Sequence, residues 1–137
     1  MFSNQKGPIL IAAPAKQAVT ICLLEDDPSV LKATSRLLSY AGWKVESFLD
    51  PMAFLRYAQA HRPAVAIIDI LMPVMNGLEV QSRLRTLSPS TRLIVLTSND
   101  DPIVRSTAMR AGASSFFLKP AENEKFLAAI ESAALRT

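Results

Sequence analysis

The chain has 137 residues, of which 50% are hydrophobic and 20% are charged, and a formal net charge of +3. This length fits one domain with its own core, and no apolar run approaches the ~20 residues of a transmembrane helix. The basic residues are scattered along the chain instead of forming runs, so the charge does not indicate a nucleic-acid-binding stripe.

Residues 1–17 are predicted to be a disordered leader, followed by a single domain at 18–137. The apolar run at 9–13 overlaps Ala13-Pro14-Ala15, which resembles a small-residue cleavage site. That run is shorter than the roughly 7–15 residues of a secretory core, and only Lys6 is basic before it. We therefore expect a leader that is not a signal peptide.

After the leader, apolar runs alternate with amphipathic stretches in a pattern that predicts five strand-then-helix units. In chain order, the predicted strands cover residues 19–24, 43–48, 64–69, 93–97 and 115–118. The helices that follow them cover residues 28–41, 51–61, 77–87, 102–111 and 122–135, respectively. Such alternation is typical of a parallel sheet with helices on both faces.

Local signals support these units. Asp27 and Asp50 each precede a proline at a predicted first helical turn, where aspartate can cap the helix, and Gly42 suits the left-handed conformation after a helix. The second strand mixes apolar with charged residues, as at a sheet edge, whereas the third and fourth are continuously apolar, as in strands buried on both faces. Cys22 lies in an apolar run that predicts a buried thiol, and a lone cysteine excludes an intramolecular disulfide.

Polar side chains stand at the ends of four predicted strands. They are Glu25, Asp26 and Asp27 after the first strand, Asp69 at the third, Thr97 and Ser98 at the fourth, and Lys119 after the fifth. Because the carboxyl ends of parallel strands meet at one edge of the sheet, where such folds bind ligands, we expect these side chains to lie close together.

The electrostatics of that edge indicate a bound cation. Two carboxylates about 5 Å apart repel by roughly 3 kcal/mol at an effective dielectric of ~20, and they raise each other's pKa unless a cation intervenes. Hard oxygen ligands suit Mg²⁺, Lys119 adds a positive charge, and Thr97 adds a hydroxyl. This combination predicts an in-line attack by Asp69 on a phosphoryl group, assisted by the metal ion.

Several short motifs, taken together and in order, resemble the receiver domain of bacterial two-component response regulators. They are Leu24-Glu25-Asp26-Asp27-Pro28, Ile68 to Gly77, Leu96-Thr97-Ser98, Ala111-Gly112-Ala113, and Phe117-Leu118-Lys119-Pro120. The resemblance covers about residues 18–135. It implies a flavodoxin-like doubly wound (βα)5 three-layer α/β sandwich, whose five-stranded parallel sheet has the strand order 2-1-3-4-5.

The resemblance also implies the roles of the acidic residues. Asp69 would be the phosphoacceptor, and a Mg²⁺ or Mn²⁺ ion would be held by Glu25, Asp26, Asp69 and the backbone carbonyl of Leu71. Glu25 stands where aspartate is commoner in the family, so it can reach further or act through a water molecule. The Leu71 side chain is apolar beside the site, and we hypothesise that it hinders attack by water and lengthens the lifetime of the phosphoryl group.

The resemblance also implies roles for residues in and directly after the fourth and fifth strands. Thr97 would be the switch hydroxyl that moves toward the phosphoryl group, and Phe116 the aromatic residue whose ring follows it. Lys119 would pair with the phosphoryl group. The Lys119–Pro120 peptide bond would be cis, a conformation that occurs almost only before proline. Ala121 departs from the family, in which an aromatic residue is frequent at that position.

The resemblance further implies the partners and the class of protein. The phosphodonor would be a sensor histidine kinase or a histidine phosphotransfer protein, and a homodimer could form through the fourth helix, fifth strand and fifth helix. We expect a cytoplasmic signalling switch without membrane contact, direct nucleic-acid binding or enzymatic activity beyond its own phosphoryl transfer and dephosphorylation.

Other interpretations remain open. The acids after the first strand could simply favour a helix dipole, and Phe116 could be an ordinary core residue. An aspartate-based phosphatase would use the same carboxylate, magnesium and lysine, although it usually carries a second acid where Leu71 stands. A pseudo-receiver that no longer takes phosphate is disfavoured because all the acidic ligands are present.

Overall fold

The computed structural model describes residues 16–72 and 75–135. These residues form one sheet of five parallel strands with helices on both faces. The strands are β1 (Thr20–Leu24), β2 (Lys44–Phe48), β3 (Val65–Ile68), β4 (Arg92–Thr97) and β5 (Ser115–Leu118). The helices are α1 (Pro28–Tyr40), α2 (Pro51–His61), α3 (Gly77–Leu87), α4 (Pro102–Arg110) and α5 (Asn123–Ala134). The sheet order β2-β1-β3-β4-β5 confirms the predicted topology.

The predicted leader falls almost entirely outside the described residues. Its last two residues, Lys16 and Gln17, belong to a short 3-10 helix, Lys16–Ala18. The Lys16 Nζ donates a hydrogen bond to the carbonyl oxygen of Ala41 at 3.1 Å and lies 5.0 Å from the ring centre of Trp43. Lys16 therefore packs on the domain.

The predicted caps and turns are confirmed. The Asp27 carboxylate accepts hydrogen bonds from the backbone N–H groups of Ser29 and Val30, and the Asp50 carboxylate accepts one from Ala53. Gly42 has a φ of +101°, a left-handed conformation that side chains with a Cβ rarely adopt. Eleven of the twenty element ends match the predicted ones and the other nine differ by one residue, as expected where element ends fray.

The strands alternate their side chains between two apolar layers. On one face, Ile21 and Leu23 of β1 pack with the layer that includes Leu38 of α1 and Phe126 of α5. On the other face, Cys22 and Leu24 pack beneath α2, α3 and α4. The buried environment of Cys22 is confirmed, and the strands β3 and β4 are buried on both faces as predicted.

The edge position predicted for the second strand is also confirmed, because β2 pairs with β1 alone among the described strands. Its side chains do not alternate as cleanly as the sequence suggests. Ser47 is exposed and its hydroxyl is hydrogen-bonded to that of Ser35 on α1, whereas Glu46 is half-buried. The edge strand is only partly covered on each face, so the difference between its two faces is small.

Two α3 side chains fasten the end of α4. The Gln81 Nε2 donates to the carbonyl oxygen of Ala108 at 2.9 Å, and an Arg85 N–H donates to the carbonyl oxygen of Ala111. Both acceptors lie in or just after the last turn of α4, where backbone carbonyls lack partners within the helix. No helix in the described parts of the chain is long and apolar enough to cross a membrane.

Candidate functional site

The two central strands end in buried carboxylates. Glu25 follows β1 and Asp69 follows β3, and each residue is 4% exposed. Backbone hydrogen bonds fix both positions, because the Glu25 N–H donates to the carbonyl oxygen of Phe48 and the Asp69 N–H donates to that of Leu24. The sheet itself thus positions these acids at its carboxyl edge.

Three acids meet at this edge. Glu25, Asp26 and Asp69 each offer a carboxylate oxygen, and these oxygens all lie within 4.8 Å of one another. Asp26 is exposed, so the cluster opens to solvent on one side. Mg²⁺ prefers a few carboxylate oxygens and retains water as its other ligands, so this donor set fits a hard divalent cation.

Lys119 reaches the same acids from the end of β5. Its Nζ donates to the Asp69 Oδ2 at 2.8 Å and also to the Glu25 Oε1. The Lys119 N–H donates to the carbonyl oxygen of Thr97 at 2.9 Å, and the Lys119–Pro120 bond is cis, as expected. Burial lowers the pKa of Lys119, but its hydrogen bonds to Asp69 and Glu25 outweigh burial and raise the pKa, so the lysine stays charged.

The buried Glu25 carboxylate lies close to a second buried acid, Asp69. Burial raises its pKa, and the charge of Asp69 adds to this, while the hydrogen bonds from Lys119 and the Asp27 N–H act in the opposite direction. One ammonium group therefore serves two buried carboxylates. A further cation at this edge would relieve the remaining repulsion.

Thr97 of β4 and Phe116 of β5 have buried side chains. Thr97 is fully buried at the end of β4, and its hydroxyl oxygen accepts a hydrogen bond from the Asn99 N–H at 3.2 Å. Phe116 is 7% exposed, and the guanidinium of Arg105 on α4 lies 5.4 Å from its ring centre. Their predicted switch roles, like the other predicted roles at this site, stay predictions.

Ile70, directly after Asp69, lies close to Gly77 at the start of α3. The Leu71 N–H donates to the Asp69 Oδ1 at 2.9 Å, and the Leu71 side chain is 52% exposed. The Gly77 N–H donates to the carbonyl oxygen of Ile70 at 3.2 Å. A Cβ at position 77 would lie 2.4 Å from the Ile70 Cα and 2.8 Å from the Asp69 carbonyl oxygen, so a side chain has no room there.

Sequence reasoning missed this role of Gly77, which we predicted only as a helix start. The available signal was a glycine directly after the Asn76 cap, at a position where most residues would form a better helix. The structure does bring Glu25, Asp26, Asp69 and Lys119 together at the edge that the sequence indicated.

Comparison with known proteins identifies the family. The response regulator receiver domain matches residues 21–131. This chain belongs to that family. The receiver-domain resemblance drawn from the motifs is thereby confirmed.

Relatives of this receiver domain carry the same description. Response regulator protein TodT of Pseudomonas putida is 36% identical over 117 residues, which are 85% of this chain and 52% of that protein. Response regulator MprA of Mycobacterium ulcerans is 32% identical over 120 residues, which are 88% of this chain and 52% of that protein. The receiver domain thus spans about half the length of these curated relatives.

Solved receiver domains have the same architecture. Chemotaxis protein CheY4 of Vibrio cholerae matches with a TM-score of 0.77 at 29% identity, over 84% of this chain and 98% of that one. The signal receiver domain of the response regulator NarL from Mycobacterium tuberculosis matches with a TM-score of 0.77 at 30% identity, over 88% and 98%. The predicted flavodoxin-like fold is therefore confirmed for this receiver domain.

Proposed function

We propose that this receiver domain accepts a phosphoryl group on Asp69 from a sensor histidine kinase or a histidine phosphotransfer protein. The observation that carries the proposal is the position of the Asp69 carboxylate, which contacts the Lys119 ammonium and lies within 4.8 Å of two further acids. Membership of the receiver family makes the phosphorylated aspartate the natural interpretation of that cluster.

In the proposed reaction, an Asp69 carboxylate oxygen attacks the phosphorus of a phosphohistidine. A phosphorus–oxygen bond forms as the phosphorus–nitrogen bond breaks, and the imidazole nitrogen keeps the electron pair and takes up a proton. The Lys119 ammonium, which contacts the Asp69 Oδ2, would stabilise negative charge on the transferred group, while the Leu71 N–H donates to the Asp69 Oδ1.

The proposed site would also hold Mg²⁺ or Mn²⁺. Glu25, Asp26, Asp69 and the backbone carbonyl of Leu71 are the proposed ligands. When bound, the ion would supply positive charge that the single lysine cannot supply for three acids and a phosphoryl group. The fit rests on the all-oxygen donor set and on the raised pKa of buried Glu25.

We propose that phosphorylation is transmitted through Thr97 and Phe116 to a surface formed by α4, β5 and α5. Thr97 ends β4 and Phe116 lies in β5, so both are attached to elements next to α4, and Arg105 of α4 lies against the Phe116 ring. A shift in the population of two conformations would expose this surface to an output partner or to a second copy. Residues 18–137 would act as one domain in the cytoplasm, where the ATP used by a kinase is available.

The acceptor assignment is tested by intact mass after incubation with acetyl phosphate, with and without Mg²⁺. We expect the parent to gain one phosphoryl group in the presence of Mg²⁺, and Asp69→Asn to gain none. The matched control is Asp100→Asn, which removes an exposed carboxylate from the neighbouring loop and should leave labelling unchanged. Full labelling of Asp69→Asn would overturn the proposal.

A second measurement separates the switch from an aspartate-based phosphatase. A phosphatase would release phosphate from added phosphate esters over many turnovers, whereas the switch would accept one phosphoryl group per chain. Calorimetric titration with Mg²⁺ supports the metal site if Asp26→Asn weakens binding while Asp100→Asn does not.

A further inference from the structure

A groove lies between α1 and the edge strand β2, and none of its lining residues belongs to the cluster of Glu25, Asp26, Asp69 and Lys119. It has a volume of about 660 Å³. Its lining includes Leu31, Lys32, Arg36 and Tyr40 on the α1 side and Ser47 and Leu49 on the strand side. Nothing in the proposed phosphorylation chemistry uses this groove.

Two of the exposed large hydrophobic side chains border this groove. Ile103, Met109 and Leu118 lie on α4 and β5, at the edge of the sheet proposed for output. Tyr40 and Leu49 belong to the opposite edge, and they are 91% and 48% exposed although both border the groove. Exposed apolar side chains around a concave surface are typical of a protein-interaction site.

The charged residues that line the groove indicate what kind of partner it would bind. Lys32 and Arg36 are four residues apart on α1, and neither makes an ion pair with any residue in the described ranges. No acid lines the groove. An isologous contact between two copies would bring these cations close to their own images, which disfavours a second copy as the occupant.

We propose that this groove docks an acidic amphipathic helical segment of a partner protein. Its apolar side chains would fill the space beside Tyr40 and Leu49, and its acids would pair with Lys32 and Arg36. A helix is favoured over an added strand because β2 carries Lys44 and Glu46, and charged residues on an edge strand oppose strand addition.

The docking inference is independent of the phosphorylation proposal. The groove lies at the β2 edge of the sheet, whereas the proposed output surface lies at the β5 edge. A partner could therefore stay bound while the phosphorylation state changes. Groove variants should take up a phosphoryl group from acetyl phosphate like the parent, so failure of one proposal would be distinguishable from failure of the other.

The test is selection from a phage-displayed peptide library on the immobilised 137-residue chain, followed by fluorescence anisotropy with the tightest-binding peptide. We expect acidic amphipathic sequences, and we expect their affinity to fall as salt rises. Tyr40→Ser combined with Leu49→Ser should weaken binding about tenfold or more. Lys32→Glu combined with Arg36→Glu should do the same.

Two matched controls locate the binding site. Lys44→Glu reverses an exposed charge outside the groove, and Ile103→Ser removes an exposed apolar side chain from α4. Both should bind the peptide like the parent. The inference is overturned if no peptide is enriched, if basic peptides are enriched, if only Ile103→Ser loses binding, or if the groove residues instead mediate concentration-dependent self-association.

Discussion

Replacement of Gly77 by alanine tests whether the segment after Asp69 depends on a close backbone approach. The added Cβ would lie 2.4 Å from the Ile70 Cα and 2.8 Å from the Asp69 carbonyl oxygen. Both atoms belong to the backbone, so no side-chain rotation relieves the contact, and overpacking of this kind costs about 1–3 kcal/mol. Alanine is the better helix former by about 1 kcal/mol, which offsets part of that cost. Because both contacts are with the backbone and one is as short as 2.4 Å, we take the upper end of the overpacking range and expect a net loss in the free energy of unfolding of about 2 kcal/mol.

Urea unfolding followed by the fluorescence of the buried Trp43 measures this loss. Ser82→Ala, at an exposed α3 position, is the control for helix propensity and should not destabilise the protein. Because the clash displaces the backbone that carries Asp69, Gly77→Ala should also take up a phosphoryl group from acetyl phosphate more slowly than the control. Stability equal to or above that of the parent would refute the reasoning.

Other predictions address the site and the core. Leu71→Asn should lose its phosphoryl group faster than the parent in a timed mass measurement, because the apolar side chain no longer hinders water; an unchanged or slower rate rejects the idea. Burial, with the nearby charge of Glu46, raises the pKa of Cys22 from 9.0 to about 12, so the folded state keeps a proton that the unfolded state releases, and stability should fall as the pH rises through that window. Cys22→Ala should flatten that slope in urea titrations. Phe54 is fully buried, and Phe54→Ala should cost about 3–5 kcal/mol in the same assay; a loss below about 1 kcal/mol would contradict the packing.

The sequence predicts the acidic edge well because its geometry follows from the strand pattern. Glu25 and Asp69 each end an apolar run, and parallel strands bring such ends together. The same rule places Lys119, since it follows the last strand. The order of the elements and the sheet topology were therefore sufficient to predict this cluster.

The contacts that sequence reasoning missed join residues whose local pattern carries no sign of a partner. In the sequence, Gly77 indicates only a weak helix start, and its close approach to the Ile70 backbone is visible only in the structure. Lys16 reads as part of a leader, yet it bonds the end of α1. Gln81 lies on the buried face of α3 because its amide reaches the Ala108 carbonyl, a contact between residues 27 positions apart. Such pairings depend on the tertiary fit of helices that periodicity describes only one at a time.

The bonds from Gln81 and Arg85 to the end of α4 have a mechanical consequence. A helix that is held at one end turns about that end when it is displaced, and its other end moves furthest. The opposite end of α4 begins at Pro102, on the segment that leads from Thr97. We therefore propose that a displacement of the β4–α4 connection would turn α4 about the end that Gln81 and Arg85 of α3 hold.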